Sequence, residues 1–446
     1  MRLTSTWLLV ALAGCPDRSI DTVVPEQGKV ESKDIPIKQR GADILFVIDN
    51  SLSMKDEQDS LRANFGKMMQ VLETLEGGMP DVHIGVTTSD MGTSAADGTT
   101  AGSKFGCNGT GDDGALRTTP NVTGRYIADD GKGHINYTGT LDDAFSAIAN
   151  VGTAGCGIEQ HLRGMERALT NPGNTGFVRD DAYLAVVVIA DEDDCSLAHQ
   201  GLFDSSTSPD TVNFTCTSDG VICDEGNMTT PGPRTNCRPN DAAHWVQPAS
   251  HFSAALRAIK PDPTDVVVAG IVGQTTPFEI GTKNNVSVLS PSCMYGADQT
   301  AFPAVRTTDF LSRFEDRTSA SICGADLAQG MTQIGALLKR KIGDPCFEAQ
   351  VEDLLPETPE LDPDCTVSDV KRVGGVDVEL GVIPSCRQSS NATPCWHIDE
   401  DAVQCGYTHT DPHLKLVIDR GGAIPDPTVH IRASCVTVGT PGGSQM

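Results

Sequence analysis

The 446-residue sequence has few aromatic residues and lacks several patterns that each define a function class. Phe, Trp and Tyr together make up only 5% of the chain. It contains no Cys-x-x-Cys pair, which argues against a zinc ribbon and against thioredoxin-like redox chemistry. It contains neither the His-Glu-x-x-His of zinc peptidases nor the Gly-x-Ser-x-Gly of serine hydrolases. We therefore expect a protein that is not an enzyme.

Positive charge is also scarce. The chain has 33 Lys and Arg residues against 60 Asp and Glu residues, for a formal net charge of -27. A field of this sign repels the phosphate backbone of nucleic acids and attracts cations. We therefore expect the protein to bind cations and not nucleic acids.

No apolar run reaches the roughly 20 residues that a membrane-spanning helix needs. A short apolar run instead ends in Leu12-Ala13-Gly14-Cys15, which matches the lipobox of bacterial lipoproteins. This pattern predicts a signal peptide over 1–14, a lipid on Cys15 that anchors the chain to a membrane, and an extracytoplasmic position in the cell envelope. Residues 15–41 are polar and aperiodic, so we interpret them as a flexible linker.

The cysteine count agrees with export. Of 15 cysteines, 14 remain once Cys15 is set aside for the lipid. An even number of thiols in an exported protein predicts disulfide bonds. The spacing does not determine which cysteines pair.

Strand and helix patterns alternate over residues 42–343, which predicts an α/β domain. Continuous apolar runs at 42–49 and 183–190 are typical of strands buried on both faces of a parallel sheet. Helical periodicity follows the first run, where Leu61, Phe65, Met68, Leu72 and Leu75 share one face and Ser53 to Asp56 form a capping pattern. Polar segments at about 89–139 and 195–240 are interpreted as long insertions. Residues 344–446 hold six cysteines and short alternating runs, which predict a smaller disulfide-rich β domain.

The most informative motif lies where the first strand ends. Asp49, Ser51 and Ser53 form an Asp-x-Ser-x-Ser sequence directly after the apolar run. One carboxylate and two hydroxyls in a tight turn are hard oxygen donors, which suit Mg²⁺, with Mn²⁺ and Ca²⁺ as competitors. The alternative is a helix N-cap without a metal, because Asp and Ser are good capping residues.

With this motif the sequence resembles the von Willebrand factor type A family, whose metal-ion-dependent adhesion site begins with Asp-x-Ser-x-Ser. The family adds a Thr from a second loop and an Asp after a later core strand, positions that Thr153 and Asp191 match in order and context. The resemblance implies a doubly wound, mostly parallel sheet over 42–343. It also implies a divalent cation, most readily Mg²⁺, that binds an exposed Asp or Glu of a protein ligand, in adhesion or complex assembly.

Two questions stay open at the level of sequence, and one enzyme class is excluded. The acidic run from Asp191 to Asp194 is compatible with tighter cation binding, with a preference for Ca²⁺, or with weaker binding of an acidic partner. The fold is also compatible with a structural envelope lipoprotein in which the domain is a scaffold without ligand capture. A phosphotransferase of the haloacid dehalogenase type is excluded. Such enzymes need a second Asp two residues after the first as acid and base, and this sequence has Ser51 at that position, whose hydroxyl cannot take that role.

Two cysteines lie close to the expected metal loops. Cys156 follows Thr153 by three residues, and Cys195 follows Asp191 by four. One hypothesis is that each anchors its metal loop to a neighbouring insertion, with Cys107 as partner of the first. The alternative is general stapling of long loops.

Overall fold

In the computed structural model, the described residues are 29–36, 41–75, 78–180, 182–204, 206, 208–295, 299–342, 346–347, 349–358, 361–373, 376–388, 393–402, 405, 408, 411–421 and 429–438. The predicted signal peptide over 1–14, the predicted lipid site Cys15 and residues 15–28 and 37–40 of the predicted linker lie outside this part of the chain. Among the described helices, none is long and apolar enough to cross a membrane.

The described residues form eight α-helices: α1 Lys55–Leu72, α2 Leu141–Ile148, α3 His161–Thr170, α4 Gly201–Asp204, α5 Pro209–Gly220, α6 Ala249–Arg257, α7 Val305–Ser312 and α8 Ala328–Ile342. They also form 21 strands: β1 Lys29–Pro36, β2 Gly41–Ile48, β3 Asp81–Thr88, β4 Ser103–Lys104, β5 Cys107–Asn108, β6 Ile127–Asp129, β7 Tyr183–Ala190, β8 Val221–Ile222, β9 Gly232–Arg234, β10 Arg238–Pro239, β11 Val266–Val272, β12 Phe278–Lys283, β13 Val286–Leu289, β14 Cys293–Tyr295, β15 Gln299–Ala301, β16 Arg317–Ser321, β17 Cys365–Val373, β18 Val376–Ile383, β19 Cys395–Glu400, β20 Leu414–Asp419 and β21 Val429–Thr437. The predicted α/β class is confirmed.

The largest sheet has six strands in the order β16-β11-β7-β2-β3-β6. Its first five strands are parallel, and β6 pairs antiparallel with β3, so the sheet is mixed. The chain passes from β2 to β3 on one side and later returns to β7 on the other side of β2. In open α/β sheets, ligands gather where the strand order reverses in this way, at the carboxyl ends of the strands.

Both faces of this sheet are covered by helices. Strands β2 and β7 are buried along their whole length, as their continuous apolar sequences predict. Ile44 and Phe46 pack with α1, α2 and α8 on one face, while Leu45 and Val47 pack with α3, α6 and α7 on the other. Alternate side chains of one strand thus enter two cores, and each fully buried apolar side chain contributes roughly 1.5–3 kcal/mol.

The start of α1 differs from the predicted capping box. Residues Leu52–Met54 form a 3₁₀ turn, and α1 begins at Lys55 with Met54 at its N-cap and no side-chain capping bond. The Ser53 hydroxyl lies instead 3.1 Å from the Ser51 hydroxyl. The expected apolar face of the helix is confirmed, since Leu61, Phe65, Met68 and Leu72 are all buried.

The polar segments contain more regular structure than expected. Strand β6 of the main sheet comes from the 89–139 segment, and helices α4 and α5 come from the 195–240 segment. The linker interpretation of 15–41 is wrong for Lys29–Pro36, which forms β1 and pairs antiparallel with β21 from Lys29↔Thr437 to Pro36↔His430. Pairing with a strand about 400 residues away leaves no trace in local composition.

The described residues after 344 form strands and contain three disulfides, as expected for a disulfide-rich β region. Strands β21, β17 and β18 form a sheet with β1 in the order β1-β21-β17-β18, and β19 pairs with β20. Phe347, Val367 and Trp396 contribute to its apolar core.

All fourteen cysteines other than Cys15 are paired, which confirms the predicted disulfides. The pairs are Cys107–Cys156, Cys195–Cys216, Cys223–Cys237, Cys293–Cys323, Cys346–Cys405, Cys365–Cys435 and Cys386–Cys395.

Candidate functional site

Asp49 and Asp191 lie side by side because they end neighbouring parallel strands. Ile48 of β2 is in register with Ile189 of β7, and the Asp49 amide donates to the Ile189 carbonyl at 2.9 Å. Both carboxyls are buried. Asp49 and Asp191 were predicted from separate stretches of sequence, and the sheet order brings them to the same edge.

The turn after Asp49 places both serine hydroxyls beside these carboxylates. The Ser51 amide donates to Asp49 Oδ1 at 2.7 Å, which fixes the turn. Burial and then the charge of Asp49 raise the pKa of Asp191, and the nearby Ser53 side chain partly opposes this rise. Neither hydroxyl caps the following helix, so the N-cap alternative does not account for these residues.

The loop that carries Thr153 lies against the same turn. Gln58 Nε2 donates to the carbonyls of Asp49 and Gly152, both at 2.9 Å. The Gly155 amide donates to the Asn50 carbonyl at 3.0 Å. A Cβ at Gly155 would lie 2.2 Å from Asn50 Oδ1, so only glycine permits this approach. Thr153 is half-buried in this loop, two residues before the contact.

Several carboxyl oxygens here are buried without a hydrogen-bond partner among the described residues, namely Asp49 Oδ2, Asp191 Oδ1, Glu57 Oε2 and Glu159 Oε1. Burial raises the pKa of Asp49 to about 7. Burial, and then the charge of Asp49, raise the pKa of Asp191 well above its ordinary value. Uncompensated buried charge is costly unless it is paired or coordinates a metal. The donor set therefore fits a hard divalent cation.

Three further carboxyls belong to this acidic environment and were not predicted as site residues. Glu57 lies on the first turn of α1, Glu159 precedes α3, and Glu192 follows Asp191. Burial is the largest cause of the raised pKa of all three, and it brings that of Glu192 to about 7. The motif covers only Asp49, Ser51, Ser53, Thr153 and Asp191, so it could not have indicated this surrounding charge.

The acidic run from Asp191 to Asp194 divides into two halves with different roles. Asp193 accepts hydrogen bonds from the Arg306 and Thr307 amides at the start of α7. Asp194 accepts from the Leu162 amide at the start of α3 and forms an ion pair with Arg306 at 3.1 Å. Aspartates favour helix N-termini because backbone amides are unpaired there. Only Asp191 and Glu192 therefore add unpaired charge to the candidate site.

Two disulfides hold the loops of the site. Cys107–Cys156 ties the Thr153 loop to the 89–139 segment, with the partner that the sequence hypothesis named. Cys195–Cys216 ties the segment after Asp191 to α5. The anchoring geometry is present, and its effect on cation affinity stays a prediction.

No group of three or more His, Cys, Asp or Glu side chains is arranged to hold a metal within the described ranges. The predicted site does not require such a group, because three of its five donors are hydroxyls.

Comparisons with known proteins add little. No family model matches the chain, and no curated protein is similar to it. Two structures of proximal thread matrix protein 1 from the mussel byssus align with 13% and 11% sequence identity and TM-scores of 0.26 and 0.24. The alignments cover 69% and 70% of this chain but only 47% of the mussel protein. Likeness at this level carries no inference about fold or function.

Proposed function

We propose that this chain is a lipid-anchored extracytoplasmic protein with a von Willebrand factor type A domain. In this proposal the domain binds a divalent cation and, through it, an acidic residue of a protein ligand. The supporting observation is the edge of the sheet where the Asp49 and Asp191 carboxyls meet the Ser51 and Ser53 hydroxyls, with buried carboxyl oxygens that have no other partner among the described residues.

The neutral hydroxyls and the carboxylates would have different roles in binding the cation. Ser51 and Ser53 would contact the cation directly as neutral donors, and Asp49, Thr153 and Asp191 would do so directly or through water. Neutral hydroxyls leave much of the positive charge of a Mg²⁺ ion uncompensated, so it can attract an external carboxylate. Mn²⁺ and Ca²⁺ suit the same oxygen donors.

The surrounding carboxyls favour cation retention. Glu57, Glu159 and Glu192 raise the negative potential around Asp49 and Asp191, while Asp193 and Asp194 are compensated by helix N-termini and Arg306. Of the outcomes compatible with the acidic run, tighter cation binding is the one that this arrangement supports.

Leu52 supplies an apolar contact beside the proposed ligand position. It lies between the two serines, where the family usually has a small residue, and its side chain is 82% exposed. It points out of the turn and does not displace the hydroxyls. A partner that presents a carboxylate would cover Leu52 as it binds, which removes apolar surface from water.

Ligand capture is tested by a pull-down from a cell-envelope extract with the purified chain, in MgCl₂ and in EDTA. We expect a partner that is retained in MgCl₂, released by EDTA and absent with an Asp49→Ala variant whose circular dichroism spectrum is unchanged. An Asp56→Ala variant, which changes an exposed carboxylate on the first turn of α1, should capture the partner like the wild type. Capture that is equal in EDTA and with Asp49→Ala would contradict metal-dependent binding and favour the scaffold alternative.

A further inference from the structure

A cavity of about 130 Å³ lies directly beside the proposed cation site. Glu159 and Glu192 line it together with residues of α5 and β13. Its rim joins the site, because the Phe302 amide donates to the Asp191 carbonyl at 2.8 Å and Glu192 follows Asp191 in sequence. A single water molecule needs a cavity volume of roughly 10–15 Å³, so this cavity accommodates a group of several heavy atoms.

The two glutamates of the cavity form no ion pair with a cationic side chain among the described residues. Glu159 is 2% exposed, and its Oε1 has no hydrogen-bond partner among the described residues. Glu192 lies within hydrogen-bonding reach of Glu159 and accepts one bond from Asn213 Nδ2 at 3.2 Å. The one cation in the lining, Arg306, is bound to Asp194, so it does not neutralise the glutamates.

Part of the lining is apolar. Phe214, Leu289 and Phe302 line the cavity, and each is half-buried. A Ca²⁺ ion requires six to eight oxygen ligands, which the apolar part of the lining does not supply, and the Asp193 and Asp194 carboxylates in the lining already bind the start of α7 and Arg306. An alkylammonium or guanidinium group suits both halves, since its charged end pairs with carboxylates while its methylenes contact apolar and aromatic surface.

We propose that this cavity binds the alkylammonium or guanidinium end of a Lys or Arg side chain. A ligand segment with an acidic residue at the cation and a basic residue nearby would fill both positions at once. The role in ligand recognition rests on the proposed function, whereas binding of an organic cation in the cavity does not.

The test uses n-butylammonium chloride as the probe and n-butanol as its neutral counterpart, measured by saturation-transfer NMR and calorimetry on the purified chain in EDTA. We expect n-butylammonium to bind and n-butanol to bind at least about 10-fold more weakly. Glu159→Gln and Glu192→Gln should each reduce n-butylammonium affinity about 10- to 100-fold, the value of a hydrogen bond to a charged group. Glu73→Gln, at an exposed position after α1, should leave it unchanged.

A second variant fills the cavity without touching the carboxylates. Leu289→Trp should abolish n-butylammonium binding while Mg²⁺ binding stays intact. The proposal is overturned if the wild type binds neither probe, if both probes bind equally, or if Glu159→Gln has no effect. It is also overturned if Ca²⁺ competes with n-butylammonium in an Asp49→Asn background, which would identify a second metal site.

The two proposals fail separately. Retained n-butylammonium binding in Asp49→Asn, together with no Mg²⁺ binding by the wild type, would refute the proposed cation site and leave the cavity assignment in place. Mg²⁺ binding without n-butylammonium binding would refute the cavity assignment alone.

Discussion

Magnesium is expected to raise the Tm of this protein strongly at pH 8 and hardly at all at pH 4. At pH 8 without a bound cation, Asp49 and Asp191 must hold negative charge while they are buried. No cationic side chain is among the main groups that shift the pKa of either carboxyl. A bound divalent cation removes that penalty. Binding to the folded state alone adds about 2.7 kcal/mol of stability at a concentration 100 times the Kd.

The pH dependence has a definite sign. Burial raises the pKa of Asp49 from 3.8 to about 7, so the folded chain binds this proton more tightly than the unfolded chain does. In EDTA, the contribution of Asp49 to stability is therefore fully present below about pH 4, is lost as the pH rises towards 7, and levels off above it. In saturating MgCl₂ the bound cation favours the carboxylate form of Asp49. The loss of stability with rising pH should therefore be reduced or absent.

An Asp49→Asn variant separates cation binding from general salt effects. Asn keeps an acceptor for the Ser51 amide but removes the buried charge. In EDTA at pH 8 the variant should be at least as stable as the wild type, and MgCl₂ should no longer raise its Tm. Asp56→Asn, at an exposed position, should respond like the wild type. Equal responses of the wild type and Asp49→Asn to MgCl₂ in thermal unfolding would refute this explanation.

The second large effect is expected from Arg306→Met. Arg306 is 1% exposed, donates from Nε to the Asp194 carbonyl at 2.9 Å, and forms the buried ion pair with the Asp194 carboxylate. Its removal leaves the Asp194 carboxylate buried without its cation, which costs about 3–5 kcal/mol. Urea unfolding should show a correspondingly lower free energy of unfolding.

A surface arginine provides the matched control. Arg238 and Asp224 form an exposed pair at 3.5 Å, and Arg238→Met should cost no more than about 1 kcal/mol. A double variant Arg306→Met, Asp194→Asn should recover part of the loss, since no uncompensated charge remains. If Arg306→Met and Arg238→Met cost the same, the structural role assigned to the Asp193–Asp194 half of the acidic run is wrong.

Much of the α/β core could be predicted because burial constrains the sequence of each strand itself. A strand buried on both faces must be apolar throughout, so the runs ending at Asp49 and Asp191 were visible in sequence. Asp49 and Asp191 could be singled out for the same reason, since each directly follows such a strand. The pairing of Cys107 with Cys156 agrees with the hypothesis that a disulfide anchors the Thr153 loop to the neighbouring insertion.

Other features depend on contacts that no local pattern records. β1 is a polar segment that becomes a strand only because β21 offers it an edge. The sequence Ser53 to Asp56 satisfies the capping pattern, but the hydroxyl is directed to the site and the helix begins later. Glu57, Glu159 and Glu192 reach Asp49 and Asp191 through three separate elements, so their convergence required the fold.

The central claim is that Asp49, Ser51, Ser53, Thr153 and Asp191 hold one divalent cation. Isothermal titration of MgCl₂ into the purified chain tests it most directly, with Ser51→Ala, Asp49→Asn and Thr332→Ala, an exposed hydroxyl on α8, measured in parallel. We predict one Mg²⁺ per wild-type chain and no measurable binding by Asp49→Asn. For Ser51→Ala we predict an affinity at least about 10-fold lower, because mutation even of a residue that only orients a metal ligand lowers metal affinity about 10- to 100-fold. Thr332→Ala should match the wild type. Mg²⁺ affinity that is the same in all four proteins, or absent from the wild type, would contradict the claim.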